Sequence, residues 1–229
     1  MNNNKSVLSK HLEILTLGLI FGLIVFNAII NGDKPVAVIS AICGITYTFY
    51  AGKGRPICYI FGLCGSCLYG FLAFQSSLWG NLLLYVLYYI PMQILGYFKW
   101  NSHLKEDKQE IIKVSMQKKA FSLLCIALVC ITACLTVALY YFKDTHPILD
   151  SITTIFSVGG MYLTVKRTIE QWFFWGIVNL LSFIMWLHLA LGGAKVWSTV
   201  IMWGVYTVLA IYFYCCWKKE ITAYDSNKH

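Results

Sequence analysis

The feature that most limits the fold of this chain is a charge-free stretch that runs from Pro56 to Phe98. Its 43 residues are about twice the length that one helix needs to cross the hydrocarbon core of a bilayer. The stretch therefore predicts two membrane-spanning helices that are separated by a tight turn at Trp79-Gly80-Asn81. Six other apolar runs predict further spans. The eight predicted spans are Leu12–Asn31, Pro35–Gly52, Pro56–Leu78, Gly80–Trp100, Ala120–Phe142, Leu149–Val165, Gln171–Leu191 and Val196–Trp217.

Composition agrees with an all-α integral membrane protein. Hydrophobic residues make up 59% of the chain and charged residues only 12%, whereas an ordinary soluble domain is about a quarter charged. The nine cysteines lie in apolar runs without histidines at ligand spacing, so they predict packing residues and no metal site. We expect no cofactor.

The positive charges predict the orientation of the helices. With eight spans and a cytoplasmic N-terminus, fifteen lysines and arginines fall in the inside segments. The outside loops hold only Lys34, Lys143 and Lys195. This asymmetry is typical of membrane topology, and it explains the net charge of +8 without a nucleic-acid partner. Both termini are predicted to be cytoplasmic.

Similar features recur in the same order in two parts of the chain. Gly44-x-x-Tyr47 in the first part matches Gly159-x-x-Tyr162 in the second, and a basic loop follows each. We predict a 3+1+3 core of two parallel three-helix repeats, with a transport path and a midplane site between them. The predicted units are residues 1–34 (tail and peripheral helix), 35–100 (first repeat), 101–146 (cytoplasmic linker and inverting helix), 147–217 (second repeat) and 218–229 (cytoplasmic tail). The linker part Asn101–Lys119 is predicted to be a solvated loop or a short surface helix.

One helix carries the strongest candidate binding residues. Trp172, Trp175 and Asn179 fall at i, i+3 and i+7 and therefore share a helical face. Two indoles and an amide can hold a flat ring with polar edges by stacking and hydrogen bonding. The alternative is that the tryptophans anchor the helix at the interface and that Asn179 joins two helices.

A second helix offers polar and aromatic side chains. Asn81, Tyr85 and Tyr88 share one face, and Gln93 shares another with Tyr85 and Tyr89. Pro91 within this span is expected to kink it and to make room for a ligand. The alternative for the tyrosines is packing in the core. Symmetry between the repeats adds Thr46, Tyr47, Ser157, Tyr162, Trp203 and Tyr206 as further candidates.

These features resemble the nicotinamide riboside transporter (PnuC) family, and the 3+1+3 arrangement resembles the SWEET sugar transporters. The segments that carry the resemblance are Tyr85-x-x-Tyr88-Tyr89-x-Pro91-x-Gln93-x-x-Gly96-x-x-x-Trp100 and Lys166-Arg167-x-x-Glu170-x-Trp172-x-x-Trp175-x-x-x-Asn179. The first repeat lacks the tryptophans of the second. The resemblance implies a transporter in the bacterial inner membrane, a possible homotrimer, and trapping of the substrate by cytoplasmic phosphorylation.

The implied substrate fits the candidate residues. Nicotinamide riboside has a pyridinium ring that Trp172 and Trp175 would bind by cation–π attraction. Asn179 and Gln93 would pair with its amide, and Asn81, Tyr85 and Tyr88 would contact its ribose. A thiamine-like vitamin or another nucleoside is the alternative substrate.

The spans predict neither ion coupling nor enzymatic chemistry. The carboxylates, lysines and arginines within the spans lie only near an end, at Glu13, Lys99 and Asp150, which favours a facilitator over a coupled transporter. His188 is the only histidine in a span, and we interpret it as a packing or interfacial residue. An intramembrane serine protease would need Ser66 as its nucleophile, but Cys67 stands where a rhomboid-like motif has glycine. We therefore predict no enzyme.

Overall fold

The protein is described by a computed structural model that covers residues 2–32, 35–75, 79–106, 109–143, 146–193 and 197–226. In this part of the chain the fold is helical, and two isolated β-bridges are its only extended pairings. The eight helices are α1 (Asn2–Asn31), α2 (Pro35–Lys53), α3 (Cys58–Gln75), α4 (Trp79–Asn101), α5 (Lys118–Tyr141), α6 (Pro147–Val165), α7 (Gln171–Leu191) and α8 (Trp197–Ser226). The predicted number of helices is therefore confirmed.

Five of these helices contain stretches that are long and apolar enough to cross a membrane. They are α4 to α8, and shorter apolar stretches lie in α1 (Leu15–Asn31) and α3 (Cys58–Phe71). The helix ends differ from the prediction in three places. Helix α3 ends at Gln75 and α4 begins at Trp79, so the predicted turn Trp79-Gly80-Asn81 is helical. In addition, α1 begins near the N-terminus, and α8 continues beyond Trp217 to Ser226.

Helix α4 is not a regular α-helix throughout. It consists of α-helical Trp79–Leu84, a π-helical turn at Tyr85–Tyr89, and α-helical Ile90–Asn101. The N–H of Ile90 donates to the carbonyl of Tyr85, which is the wider spacing of a π-helix. Pro91 follows directly, and a proline conflicts with the regular hydrogen bonds of the turn before it. The sequence predicted a kink here, and the structure contains a π-helical turn.

Six helices pack in a closed ring. In order around the ring these are α2, α3, α4, α6, α7 and α8, and α8 packs in turn against α2. Helix α5 packs against α6, and α1 packs against α2 and α8. The ring encloses the space in which the candidate site lies.

One half of the ring consists of α2, α3 and α4, and the other half consists of α6, α7 and α8. Two tryptophans join these halves at one end of the bundle. We call this end, where Lys53, Lys99, Lys166 and Lys218 lie, the basic end. The indole N–H of Trp100 at the end of α4 donates to the carbonyl of Thr164 at 2.9 Å, and that of Trp217 on α8 donates to the carbonyl of Gly52 at 2.6 Å. Both carbonyls belong to the last turn of a helix, where backbone acceptors have no partner within the helix. Each indole thus caps a helix of the other half.

A hydrophobic core closes the basic end around these indoles. Both tryptophan side chains are completely buried. The buried residues of this core are Ala51, Cys58, Tyr59, Trp100, Ile111, Met161, Val165, Ile169, Trp172, Ala210, Phe213 and Trp217.

The described part of the linker between α4 and α5 is a loop, which is one of the two predicted forms, but it is not solvated throughout because Ile111 and Lys113 are buried. The Ile111 side chain is completely buried, and its N–H donates to the carbonyl of Gly54 at 2.9 Å. Val114 exchanges hydrogen bonds with the backbone of Arg167 and Ile169. Lys113 is buried, and its Nζ lies 2.6 Å from the Glu220 carboxylate on α8. The linker is held because the basic loops of both halves supply backbone partners that the apolar pattern does not reveal.

Candidate functional site: a neutral cavity between the helices

A cavity of about 630 Å³ lies inside the ring. All six ring helices and α1 contribute to its lining, whereas α5 does not. Its aromatic and amide residues are Tyr47, Tyr69, Tyr85, Tyr89, Gln93, Gln171, Trp172, Trp175, Asn179, Trp186, Trp203 and Tyr206. The remaining polar residues are the hydroxyl-bearing Ser40, Thr48, Ser66, Thr153, Thr154, Ser157, Thr164, Ser182 and Thr199. Every lining residue in the described part of the chain is uncharged.

Helix α7 brings its predicted stripe to this cavity. Trp172, Trp175 and Asn179 all line it, as their shared helical face predicts. The Trp175 indole is held in place, because its N–H donates to the Thr164 hydroxyl at 3.0 Å and that hydroxyl donates to the carbonyl of Gly160 at 2.8 Å. A fixed indole presents an aromatic face to a ligand with little loss of side-chain entropy.

Trp172 has a different environment from Trp175. It is almost fully buried, and its ring centre lies 5.5 Å from that of Phe213 and 5.8 Å from that of Trp217. It therefore belongs to the core of the basic end and forms the floor of the cavity. One indole of the predicted pair is a wall of the cavity, and the other separates it from the basic end.

Several polar atoms at the cavity are buried without a partner. They are Oε1 of Gln93, Oε1 of Gln171 and Nε1 of Trp172, each without a hydrogen bond to the described residues. An unpaired buried polar group costs about 1–3 kcal/mol, so such groups are uncommon and call for an explanation. Two acceptors and one donor at a single cavity match a ligand that carries amide and hydroxyl groups.

Helix α4 contributes one of its two predicted faces. Tyr85, Tyr89 and Gln93 line the cavity. Tyr88 does not, and its hydroxyl donates to the carbonyl of Val158 at 2.6 Å. The predicted face of Asn81, Tyr85 and Tyr88 assumed a regular α-helix. The π-helical turn at Tyr85–Tyr89 changes that spacing, so these three residues do not form one face. The Asn81 side chain lies outside the described part of the structure.

The candidates from symmetry divide in the same way. Tyr47, Ser157, Trp203 and Tyr206 line the cavity. Thr46 is not a lining residue, and its hydroxyl donates to the carbonyl of Ile42 at 2.7 Å.

Tyr162, the proposed counterpart of Tyr47, is exposed on the outside of the bundle. Its ring centre lies 5.6 Å from Nζ of Lys166, and it is not among the lining residues. The two Gly-x-x-Tyr segments therefore do not occupy equivalent positions.

Gln171, Ser182 and Tyr69 are among the lining residues that the sequence reasoning missed. Gln171 and Ser182 extend the stripe of Trp175 and Asn179 along α7, and helical spacing alone would have found them. Tyr69 on α3 stacks on Tyr85 with ring centres 4.6 Å apart. That contact joins two helices, so no local pattern predicts it.

Ser66, the serine considered as a protease nucleophile, also lines the cavity. A serine becomes nucleophilic through an adjacent base within hydrogen-bond reach. His188, the histidine available on α7, is exposed and is not a lining residue. The arrangement therefore favours binding of a neutral or cationic aromatic molecule over acyl transfer.

Comparison with known proteins agrees with this chemistry. The profile of a family described as nicotinamide mononucleotide transporter matches residues 34–219. The nicotinamide riboside transporter PnuC of Neisseria mucosa is 27% identical over 95% of this chain and 84% of its own length. The PnuC protein of Haemophilus influenzae is 28% identical over 93% of this chain and 92% of its own.

A solved structure supports the same assignment. The crystal structure of the vitamin B3 transporter PnuC has a TM-score of 0.76 and 25% identity, and the match covers 93% of both chains. The fold, the neutral aromatic cavity and the match over most of the chain lead to one family. The chain belongs to the nicotinamide mononucleotide transporter family.

Proposed function

We propose that this protein carries nicotinamide riboside across the bacterial cytoplasmic membrane by facilitated diffusion. The observation that carries the proposal is the uncharged cavity, in which aromatic rings surround buried and unpaired amide groups. The names of the two relatives, both nicotinamide riboside transporters, support the same substrate.

The proposed pose follows from the chemistry of the lining. The pyridinium ring lies against the Trp175 indole, where cation–π attraction stabilises it without an anionic partner. The carboxamide pairs with Asn179 and with Gln93, whose Oε1 accepts a hydrogen bond from the ligand. The ribose hydroxyls contact Tyr85 and Tyr89. Tyr88 and Thr46, which do not line the cavity, have no role in this pose.

Transport is expected to stop when the concentrations of nicotinamide riboside inside and outside are equal. A coupled transporter generally needs an ionisable group in the membrane, and every described lining residue is uncharged. The measurement is uptake of labelled substrate by liposomes that contain only this protein, with the membrane potential held at zero. Liposomes without protein are the control. Accumulation that follows an imposed proton or sodium gradient would contradict a facilitator. In cells we propose that phosphorylation traps the substrate.

Nicotinamide mononucleotide is expected to compete poorly with the riboside. Its phosphate carries nearly two negative charges at neutral pH, and an unpaired charge is costly to remove from water. The described lining offers aromatic, amide and hydroxyl groups and no cation to pair with it. The measurement is displacement of labelled nicotinamide riboside from the purified protein by each compound. Equal displacement by the mononucleotide would show that the phosphate has a partner in the site.

The proposed arrangement is a 3+1+3 core with both termini in the cytoplasm. The closed ring supports it, because α2, α3 and α4 lie opposite α6, α7 and α8 in the order around the ring. The reciprocal bonds from Trp100 and Trp217 support an approximate two-fold relation between the halves. A homotrimer is part of the proposal only through the family resemblance.

Reporter fusions are expected to place the C-terminus and the linker between α4 and α5 in the cytoplasm. The fifteen-to-three distribution of positive charges is the reason. A fusion after Lys143, which follows α5, is the matched control and is expected on the opposite side. A C-terminus that faces outward would contradict the eight-span arrangement.

A further inference from the structure

Two glycines of the cavity lining face side chains of neighbouring helices where their own side chains would be. A Cβ atom built at Gly62 on α3 would lie 2.5 Å from Oε1, 2.6 Å from Nε2 and 2.7 Å from Cδ of Gln93 on α4. A Cβ atom at Gly44 on α2 would overlap the hydroxyl of Tyr206 on α8. Both glycines line the cavity together with the residues they face.

A different kind of glycine is present on the same helix. A Cβ atom at Gly65 would lie 3.3 Å from Cβ of Cys43, and it would also come within 4 Å of backbone atoms of α2. Gly65 therefore allows two helix backbones to approach, which is the usual role of glycine between membrane helices. At Gly62 the three nearest atoms all belong to one polar side chain. The space at Gly62 is occupied by an amide and not by a helix.

The amide that fills this space is an independent sign of a ligand. Gln93 is 5% exposed and lines the cavity, and its Oε1 has no hydrogen-bond partner among the described residues. Glycine weakens a helix interior relative to alanine. A glycine that destabilises its helix and thereby accommodates an unpaired amide is better explained by ligand binding than by stability.

We propose that Gly62 and Gly44 are positioning residues of the substrate site. Gly62 keeps the Gln93 amide at the cavity, and Gly44 does the same for the Tyr206 hydroxyl. Neither glycine needs to contact the substrate. The inference rests on the proposed function, since it concerns how that same site selects a ligand with amide and hydroxyl groups.

The test is a double-mutant cycle on purified protein, with nicotinamide riboside binding measured by calorimetry. Gln93→Ala is expected to weaken binding about ten-fold, because a ligand donor loses its acceptor. Gly62→Ala is expected to weaken binding by a similar factor, because the new methyl group displaces the same amide. The double variant is expected to bind within about two-fold of Gln93→Ala alone, because the displaced group is already absent.

The second pair repeats the test with a smaller change. Tyr206→Phe removes the hydroxyl, and the next atom near the added Cβ, Cζ of Tyr206, lies at an ordinary 3.5 Å. Gly44→Ala is therefore expected to weaken binding in the wild-type background and to have no further effect in the Tyr206→Phe background. Gly176→Ala is the matched control, since a Cβ atom there would have nothing within 4 Å, and wild-type affinity is expected.

The outcomes separate this inference from the proposed function. Absence of binding by the wild-type protein would overturn the proposed function. If the wild-type protein binds and both glycine variants bind with the same affinity as the wild type, the positioning role is overturned. It is also overturned if the fold-loss of affinity in a double variant equals the product of the fold-losses in its two single variants. If Gly62→Ala does not fold, recovery of folding by Gln93→Ala supports the inference, and failure to recover overturns it.

Discussion

Asn179→Leu is expected to weaken binding of nicotinamide riboside by roughly ten- to a hundred-fold. Asn179 is 5% exposed and lines the cavity one helical turn from Trp175. Leucine has a similar size but no hydrogen-bonding group, so the ligand amide would be left unpaired in a buried site. That loss costs about 1–3 kcal/mol, and each 1.4 kcal/mol is about a factor of ten in affinity.

The measurement is calorimetric titration of the purified, monodisperse variant. Leu180→Ala is the control, because the Leu180 side chain is exposed on the outer surface of the bundle. This substitution is expected to leave the affinity unchanged. Wild-type affinity in a correctly folded Asn179→Leu protein would reject Asn179 as a partner of the ligand amide, and wild-type affinity in Trp175→Ala as well would reject α7 as the binding helix. Asn179 would then be a residue that joins helices.

Trp217→Ala is expected to destabilise the protein by about 3–5 kcal/mol, the usual cost of removing a large aromatic side chain from a core. The Trp217 side chain is completely buried, and its ring contacts Trp172. Its loss also leaves the carbonyl of Gly52 without the indole N–H that caps α2. The variant therefore loses both a buried ring and the hydrogen bond that caps α2, so its loss of stability is larger than that from either change alone.

Thermal unfolding in detergent measures this effect. For a chain of this size, each kcal/mol corresponds to about 2–4 °C in the unfolding midpoint. Trp197→Ala, which removes an indole that is 43% exposed near the start of α8, is expected to have a small effect. Equal midpoints for the two variants would contradict the role of Trp217 in holding the halves of the ring together.

The sequence alone determined the number of helices and most of their positions. In a bilayer each backbone polar group must find its partner within the chain, so an apolar run of sufficient length has a helix as its stable form. This rule identified every helix from α1 to α8, including the two in the long charge-free stretch. The same local geometry brought Trp172, Trp175 and Asn179 to one cavity, because their spacing lies within a single helix.

Contacts between helices required the tertiary structure. Lipid is as apolar as leucine, so hydrophobic periodicity does not reveal which face of a membrane helix points inward. Tyr88 and Tyr89 are neighbours in sequence, yet one bonds to the backbone of α6 and the other lines the cavity. The stack of Tyr69 on Tyr85 and the space that Gly62 leaves for Gln93 also depend on a second helix.

The basic end shows most clearly the difference between what the sequence predicts and what the tertiary structure adds. The sequence identified Trp100 and Trp217 as the ends of two repeats, and only the structure paired each indole with a carbonyl of the other half. The linker was predicted to be a solvated loop or a short surface helix because its charge is mixed, but backbone groups of Gly54 and Arg167 hold part of it against the core. Apolar length determines the helices of this protein, whereas hydrogen-bond partners that lie far apart in sequence determine how its two halves are joined.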